Sequence, residues 1–148
     1  MIRQFFLQVI EQKGTEAIGI FSHDGKMLDS WLASGSSDNV LKDLGETFLH
    51  IYSVLSRPDM ADLKEIQISF DKGMVFARAS ERFYLLVIQR HNANPNLIRM
   101  AANCGIHELE NHRKGQRMIR KLPEQSLSKK HFNELDEVEK IMLDHIMR

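Results

Sequence analysis

The stretch EIQISFDKGMVFARASERFYLLVI, residues 65–88, decides the fold. Ile66, Ile68 and Phe70 alternate with Glu65, Gln67 and Ser69, the two-residue period of a strand with one apolar side. Asp71-Lys72-Gly73 predicts a short hairpin loop with glycine at a position of positive φ, and Met74 to Ala79 returns. Glu81-Arg82 turns the chain again. Phe83-Tyr84-Leu85-Leu86-Val87-Ile88 is apolar without alternation, as in a central strand covered on both faces. Three consecutive strands, one buried on both sides, require helices on each face of an antiparallel sheet.

The flanking sequence supplies them. Ile2, Phe5, Phe6, Val9 and Ile10 share one face of a first helix, which Gly14 can end in the left-handed conformation. Ala17 to Phe21 and Met27 to Leu32 read as strands joined at Asp24-Gly25, a strong signal for a tight primed turn. The polar linker Ala33 to Ser37 follows, and Ser36, Ser37 or Asp38 can cap a second helix. That helix has an apolar stripe of Val40, Leu41, Leu44, Phe48, Ile51, Tyr52 and Leu55, with Lys42, Glu46, His50 and Ser53 opposite. Arg57-Pro58 ends it, because proline disfavours helical geometry in the preceding residue. A third helix starts at Asn94-Pro95, with Asn94 as cap, and turns Leu97, Ile98, Ala101, Ala102, Cys104 and Leu109 inward.

Beyond Glu110 the chain is polar as far as Lys121, and Leu122-Pro123 marks a break. A fourth, amphipathic helix is expected from about Ser128, with Phe132, Leu135, Val138, Ile141, Met142 and Ile146 on one side. The expected organisation is a domain over residues 1–113 and a linker with a C-terminal helix over 114–148. The tail helix must dock, because a lone helix of ~20 residues is marginal in water. Its own domain, the tail of a second copy or a partner can receive it.

At 148 residues and 43% hydrophobic content, one domain with an appendage is expected. Twenty Lys and Arg balance twenty Asp and Glu, so no net field draws the chain to nucleic acid or to an acidic membrane. Cys104 is the single cysteine, which excludes an internal disulfide, fits a reducing compartment and suits a small core position. The apolar run at Phe5 to Ile10 is interrupted by Gln8 and too short for a secretory signal. No run approaches the ~18 residues of a membrane span, so a cytoplasmic location is expected.

Motifs for chemistry are absent. There is no phosphate loop of the Gly-x-x-x-x-Gly-Lys-Ser/Thr type, no Gly-x-Gly-x-x-Gly and no nucleophile elbow. His107-Glu108-Leu109-Glu110-Asn111-His112 resembles a zinc-protease motif, but its histidines stand five apart, about 140° around a helix. His23, His50, His91, His131 and His145 lack ligand spacing and read as surface or boundary residues; Asp24 beside His23 is explained by the turn. No catalytic residue, metal or cofactor is expected. The basic cluster His112, Arg113, Lys114, Arg117, Arg120 and Lys121 lacks interleaved aromatics for nucleic acid. It reads as a solvated helix end, or as a contact for an acidic partner surface or lipid.

The segment order resembles the roadblock / dynein light chain family, whose members regulate or scaffold Ras-like GTPases. Gly14 to Gly25 resembles its first helix end, first strand and Asp-Gly hairpin; Ile66 to Ala79 its third and fourth strands; Tyr84 to Ile88 its fifth. The resemblance implies an α+β fold with a five-stranded antiparallel sheet ordered 2-1-5-4-3, the second helix on one face and the first and third on the other. It implies a homodimer through Ile66, Gln67, Ile68, Ser69 and Phe70, with Phe48 and Tyr52 of the second helix. It further implies a non-enzymatic role and a platform for a Ras-like GTPase around Lys42, Glu46, His50 and Ser53. The alternative is a small-ligand sensor of PAS or profilin-like type, which needs a cavity that Trp31, Phe48, Phe76 and Phe83 would fill.

Overall fold

A computed structural model of the chain describes residues 1–33, 38–55 and 65–122. In chain order the elements are α1 (Ile2–Phe5), α2 (Leu7–Ile10), β1 (Thr15–Ser22), β2 (Met27–Leu32), α3 (Asp38–Leu55), β3 (Glu65–Phe70), β4 (Gly73–Ala79), β5 (Phe83–Arg90), α4 (Pro95–Asn111) and α5 (Arg113–Arg120). The strands form one sheet in the order β2-β1-β5-β4-β3, with every neighbouring pair antiparallel. The run read as doubly covered is the middle strand, and Phe83 to Gln89 are all buried. Among the described residues no helix is long and apolar enough to cross a membrane.

The pleat of the sheet separates two cores. Ile18 and Ile20 of β1 and Phe83, Leu85 and Val87 of β5 meet Phe5, Phe6 and Val9, and Ile98, Ala102 and Leu109 of α4. Their alternate neighbours, Ala17, Phe21, Tyr84, Leu86 and Ile88, meet Leu41, Phe48 and Tyr52 of α3. One helix therefore covers one face while α1, α2, α4 and α5 cover the other. The phenol of Tyr84 donates to the Gly45 carbonyl at 2.9 Å and ties the middle strand to α3. Its ring stacks on Phe21 with centroids 5.2 Å apart.

Several local expectations change. The first helix is two short turns, broken at Phe6 with φ −121° and ψ 24°. The β1–β2 turn is wider than a two-residue primed turn: Ser22 N–H donates to the Lys26 carbonyl at 2.9 Å, and Gly25 N–H to Ser22 at 3.0 Å. Only Gly25 takes positive φ there, and the Asp24 side chain accepts from the Ser22 hydroxyl and the Lys26 N–H. Gly73 does not take positive φ. It is glycine because a Cβ there would collide with the Gln89 carbonyl on β5.

Burial also differs at particular positions. Val40, placed on the inner stripe of α3, is 53% exposed, while Val54 is buried instead. On α4 the inner face is Ile98, Ala101, Ala102, Gly105, Ile106 and Leu109. Leu97 and Cys104 lie off that 3.6-residue register and are exposed, so Cys104 is not a core residue. Asn94 caps α4 as expected, accepting from Asn96 N–H at 3.1 Å and Leu97 N–H at 3.3 Å. Met118, Ile119 and Leu122 also lie against the core, and Arg82 donates to the Leu122 carbonyl at 2.8 Å. Ser36, Ser37, Arg57-Pro58 and the tail residues Phe132, Leu135, Val138, Ile141, Met142 and Ile146 lie outside the described residues.

Candidate partner-binding surface

Strand β3 is the outer strand on one side of the sheet, and its register fixes where each side chain goes. Ile66 and Ile68 pair with Ala77 and Val75, which belong to the core beneath α3. Ile66, Ile68 and Phe70 therefore share the α3 face. That helix makes its closest backbone approach to β1 and β2, towards the opposite edge of the sheet. Ile66 is accordingly half-buried, and Ile68 and Phe70 are left 40% and 41% exposed. Gln67 and Ser69 are exposed on the opposite face.

The inner end of this strand is clasped to α4. The Glu65 carboxylate accepts from Arg78 Nη1 at 2.8 Å, Arg99 Nε at 2.7 Å and Asn103 Nδ2 at 3.1 Å. Burial pushes the Glu65 acid up, but hydrogen bonds from Arg99 and Asn103 and the two guanidinium charges outweigh it and hold it below its ordinary value. Arg99 and Asn103 were not singled out from sequence. Their signal was their position on α4, one helical turn apart on the flank bordering its apolar stripe.

On α3, Lys42, Glu46 and His50 are exposed as expected, and Lys42 lies 3.7 Å from Asp38 across one turn. Ser53 is half-buried instead of exposed. Phe48 and Tyr52, expected at a dimer interface, are fully enclosed in the chain's own core. The reason is that Tyr52 packs on Tyr84, with ring centroids 5.8 Å apart, and burial raises the pKa of both phenols. The outward apolar contribution of α3 comes instead from Val40 and the half-buried Leu44 and Ile51.

Two histidine expectations also change. His23 is fully buried, its Nε2 2.9 Å from the Ser80 carbonyl and its ring against Tyr84. Desolvation lowers its pKa, and the Ser80 and Asp24 contacts offset this only in part. His112 ends α4 with ψ 137°, so the helical separation from His107 does not apply. Both rings line an open cavity of about 460 Å³ with Gln4, Phe5, Glu108 and Asn111. Each Nδ1 accepts a hydrogen bond, from Asn111 Nδ2 at 3.3 Å and from Lys114 N–H at 3.2 Å respectively. Among the described residues no group of three or more His, Cys, Asp or Glu side chains could hold a metal ion.

No protein-family model matches the sequence, and no curated protein matches it. Solved structures do match in shape. MglC from Myxococcus xanthus is 15% identical with a TM-score of 0.56, covering 82% of this chain and 98% of its own. A roadblock/LC7 domain from Streptomyces avermitilis is 16% identical with a TM-score of 0.58, covering 73% and 93%. The gliding protein MglB from Thermus thermophilus is 11% identical with a TM-score of 0.60, covering 80% and 88%. The chain has the fold of the roadblock/LC7 domain.

Proposed function

We propose that this chain is a non-catalytic, homodimeric regulator or scaffold that binds a small Ras-like GTPase in the cytoplasm. The observation that carries it is the outer side of β3, where Ile68 and Phe70 stand exposed and, among the described residues, no further strand pairs with the backbone. Such an edge is an aggregation hazard that pairing with a second copy removes. Two copies joined there form a continuous sheet that carries both α3 helices on one face. Lys42, Glu46 and His50 then lie on the combined surface, which is the GTPase platform. A stable interface of this kind buries ~800 Å² per partner.

The chain itself neither binds nor hydrolyses GTP, since it has no phosphate loop to cradle the triphosphate. Its activity is a change in a partner's rate. A ligand-sensing role has less support, because Phe48, Phe76 and Phe83 are fully buried in the two cores. Affinity capture from the source cell, followed by mass spectrometry, tests the proposal: a Ras-like GTPase is the expected bound protein. Micromolar GTP affinity of the pure chain in calorimetry would contradict it.

A further inference from the structure

Among the described residues, nothing covers a second flank of helix α4. Leu97, Met100, Cys104, Glu108 and Asn111 follow one another at three- and four-residue steps, so they form one line along the helix. All five are exposed, Leu97 by 47% and Met100 by 60%. At its far end this line runs into the open cavity bordered by Gln4 and Phe5. There α5 turns away and exposes Arg113, Lys114, Arg117, Arg120 and Lys121, with no carboxylate between Asn111 and Pro123.

The remaining chain, residues 123–148, has the complementary chemistry. Within residues 132–146, Phe132, Leu135, Val138, Met142 and Ile146 recur at helical spacing, flanked by Glu134, Asp136, Glu137, Glu139 and Asp144 against Lys140, while Lys129 and Lys130 lie in the connector and Arg148 at the end. The connecting residues 123–131 reach up to ~30 Å when extended. The 17 residues of α4 span ~25 Å, a length comparable with the reach of that connector. The overall neutrality of the chain has a local form: a cationic helix followed by an anionic segment.

We propose that residues 132–146 dock in cis along the outer flank of α4, with their carboxylates towards the cations of α5. This face lies across the sheet from α3, so the inference stands independently of the proposed GTPase platform. The natural probe is Cys104, the only thiol in the chain, which sits in the middle of the flank. In the full chain a docked tail slows maleimide modification of Cys104 by at least ~tenfold relative to the full-length Leu135→Glu/Val138→Glu variant, because reaction then waits on local opening. Arg117→Glu/Arg120→Glu should accelerate it as well, as should added salt. A melting temperature recorded for each variant confirms that the domain remains folded.

Equal Cys104 rates in the wild type and the tail variant would overturn the proposal. So would shielding that disappears on dilution, which would seat a second copy's tail there, or shielding that appears only when a partner protein is added. Hydrogen exchange gives an independent readout. Amides 132–146 are protected in the wild type if the tail is docked, and exchange at unstructured rates if the proposal is wrong. Binding of anionic vesicles with those amides still unprotected would assign α5 to a lipid surface and would equally refute it.

Discussion

Arg99 Nε on α4 lies 2.7 Å from Glu65 Oε2, so a helix on one face of the sheet holds the first residue of its outermost strand. Arg78 and Asn103 complete the cluster around the same carboxylate. Glu65→Ala leaves both guanidinium groups without it and should lower stability by about 1 kcal/mol, a modest figure because Arg99 is half exposed and water screens it. The pKa of Glu65 is lowered in the folded state from an ordinary 4.5. Its contribution is therefore complete above that value and is lost as pH falls through the folded one. Urea midpoints across the acid range, with and without the substitution, test both statements.

His23 provides the opposite case in a neighbouring pH window. It is buried, and its pKa is lowered from an ordinary 6.5. The unfolded chain binds this proton more readily, so stability is fully present above 6.5 and declines as pH falls towards the folded value. In His23→Gln this part of the pH dependence should flatten. An unchanged slope of melting temperature against pH between the two proteins would remove His23 as its source.

Gly73→Ala places a Cβ against the Gln89 carbonyl, and backbone cannot move aside as a flexible side chain would. A loss of about 1–3 kcal/mol is expected, in the range of overpacked cores. Equilibrium denaturation measures it, and a loss within ~0.5 kcal/mol, typical of neutral surface changes, would show that the strands separate easily at this point.

The sheet was legible in the sequence because each strand carried its own period and each turn its own punctuation. Alternation at Glu65 to Phe70 and the solid apolar run at Phe83 to Ile88 specified how many faces each strand buries. What sequence could not resolve was decided by tertiary contact. Gly73 looked like a turn glycine, and only the approach of β5 reveals its role. Cys104 and Leu97 looked internal because apolar residues are dense on α4, yet the 3.6-residue register centred on Ala102 and Leu109 leaves them outside. Phe48 and Tyr52 were assigned to an interface by resemblance, whereas packing between α3 and the sheet encloses them in the core. The Glu65 cluster joins residues 34 and 38 positions apart, a relationship that no local pattern encodes.

Pairing of β3 with a second copy makes a prediction about charge. Ile68→Lys/Phe70→Lys should leave the monomer fold intact, since both residues are already 40% and 41% exposed. The same substitutions place cations along the edge, a natural device against strand pairing. Sedimentation velocity at tens of micromolar should show a dimer for the wild type and a monomer for the variant. A monomeric wild type would reject the proposed interface.

The most direct measurement of the proposed function is affinity capture with the wild type beside Lys42→Glu/Glu46→Lys. Both side chains are exposed on α3, so the swap should change melting temperature by little and keep net charge constant. The account predicts that a Ras-like GTPase is recovered with the wild type and lost, or reduced by at least ~tenfold, with the variant, equivalent to ~1.4 kcal/mol of binding. Recovery of no GTPase, or equal recovery with both proteins, would contradict the proposed platform.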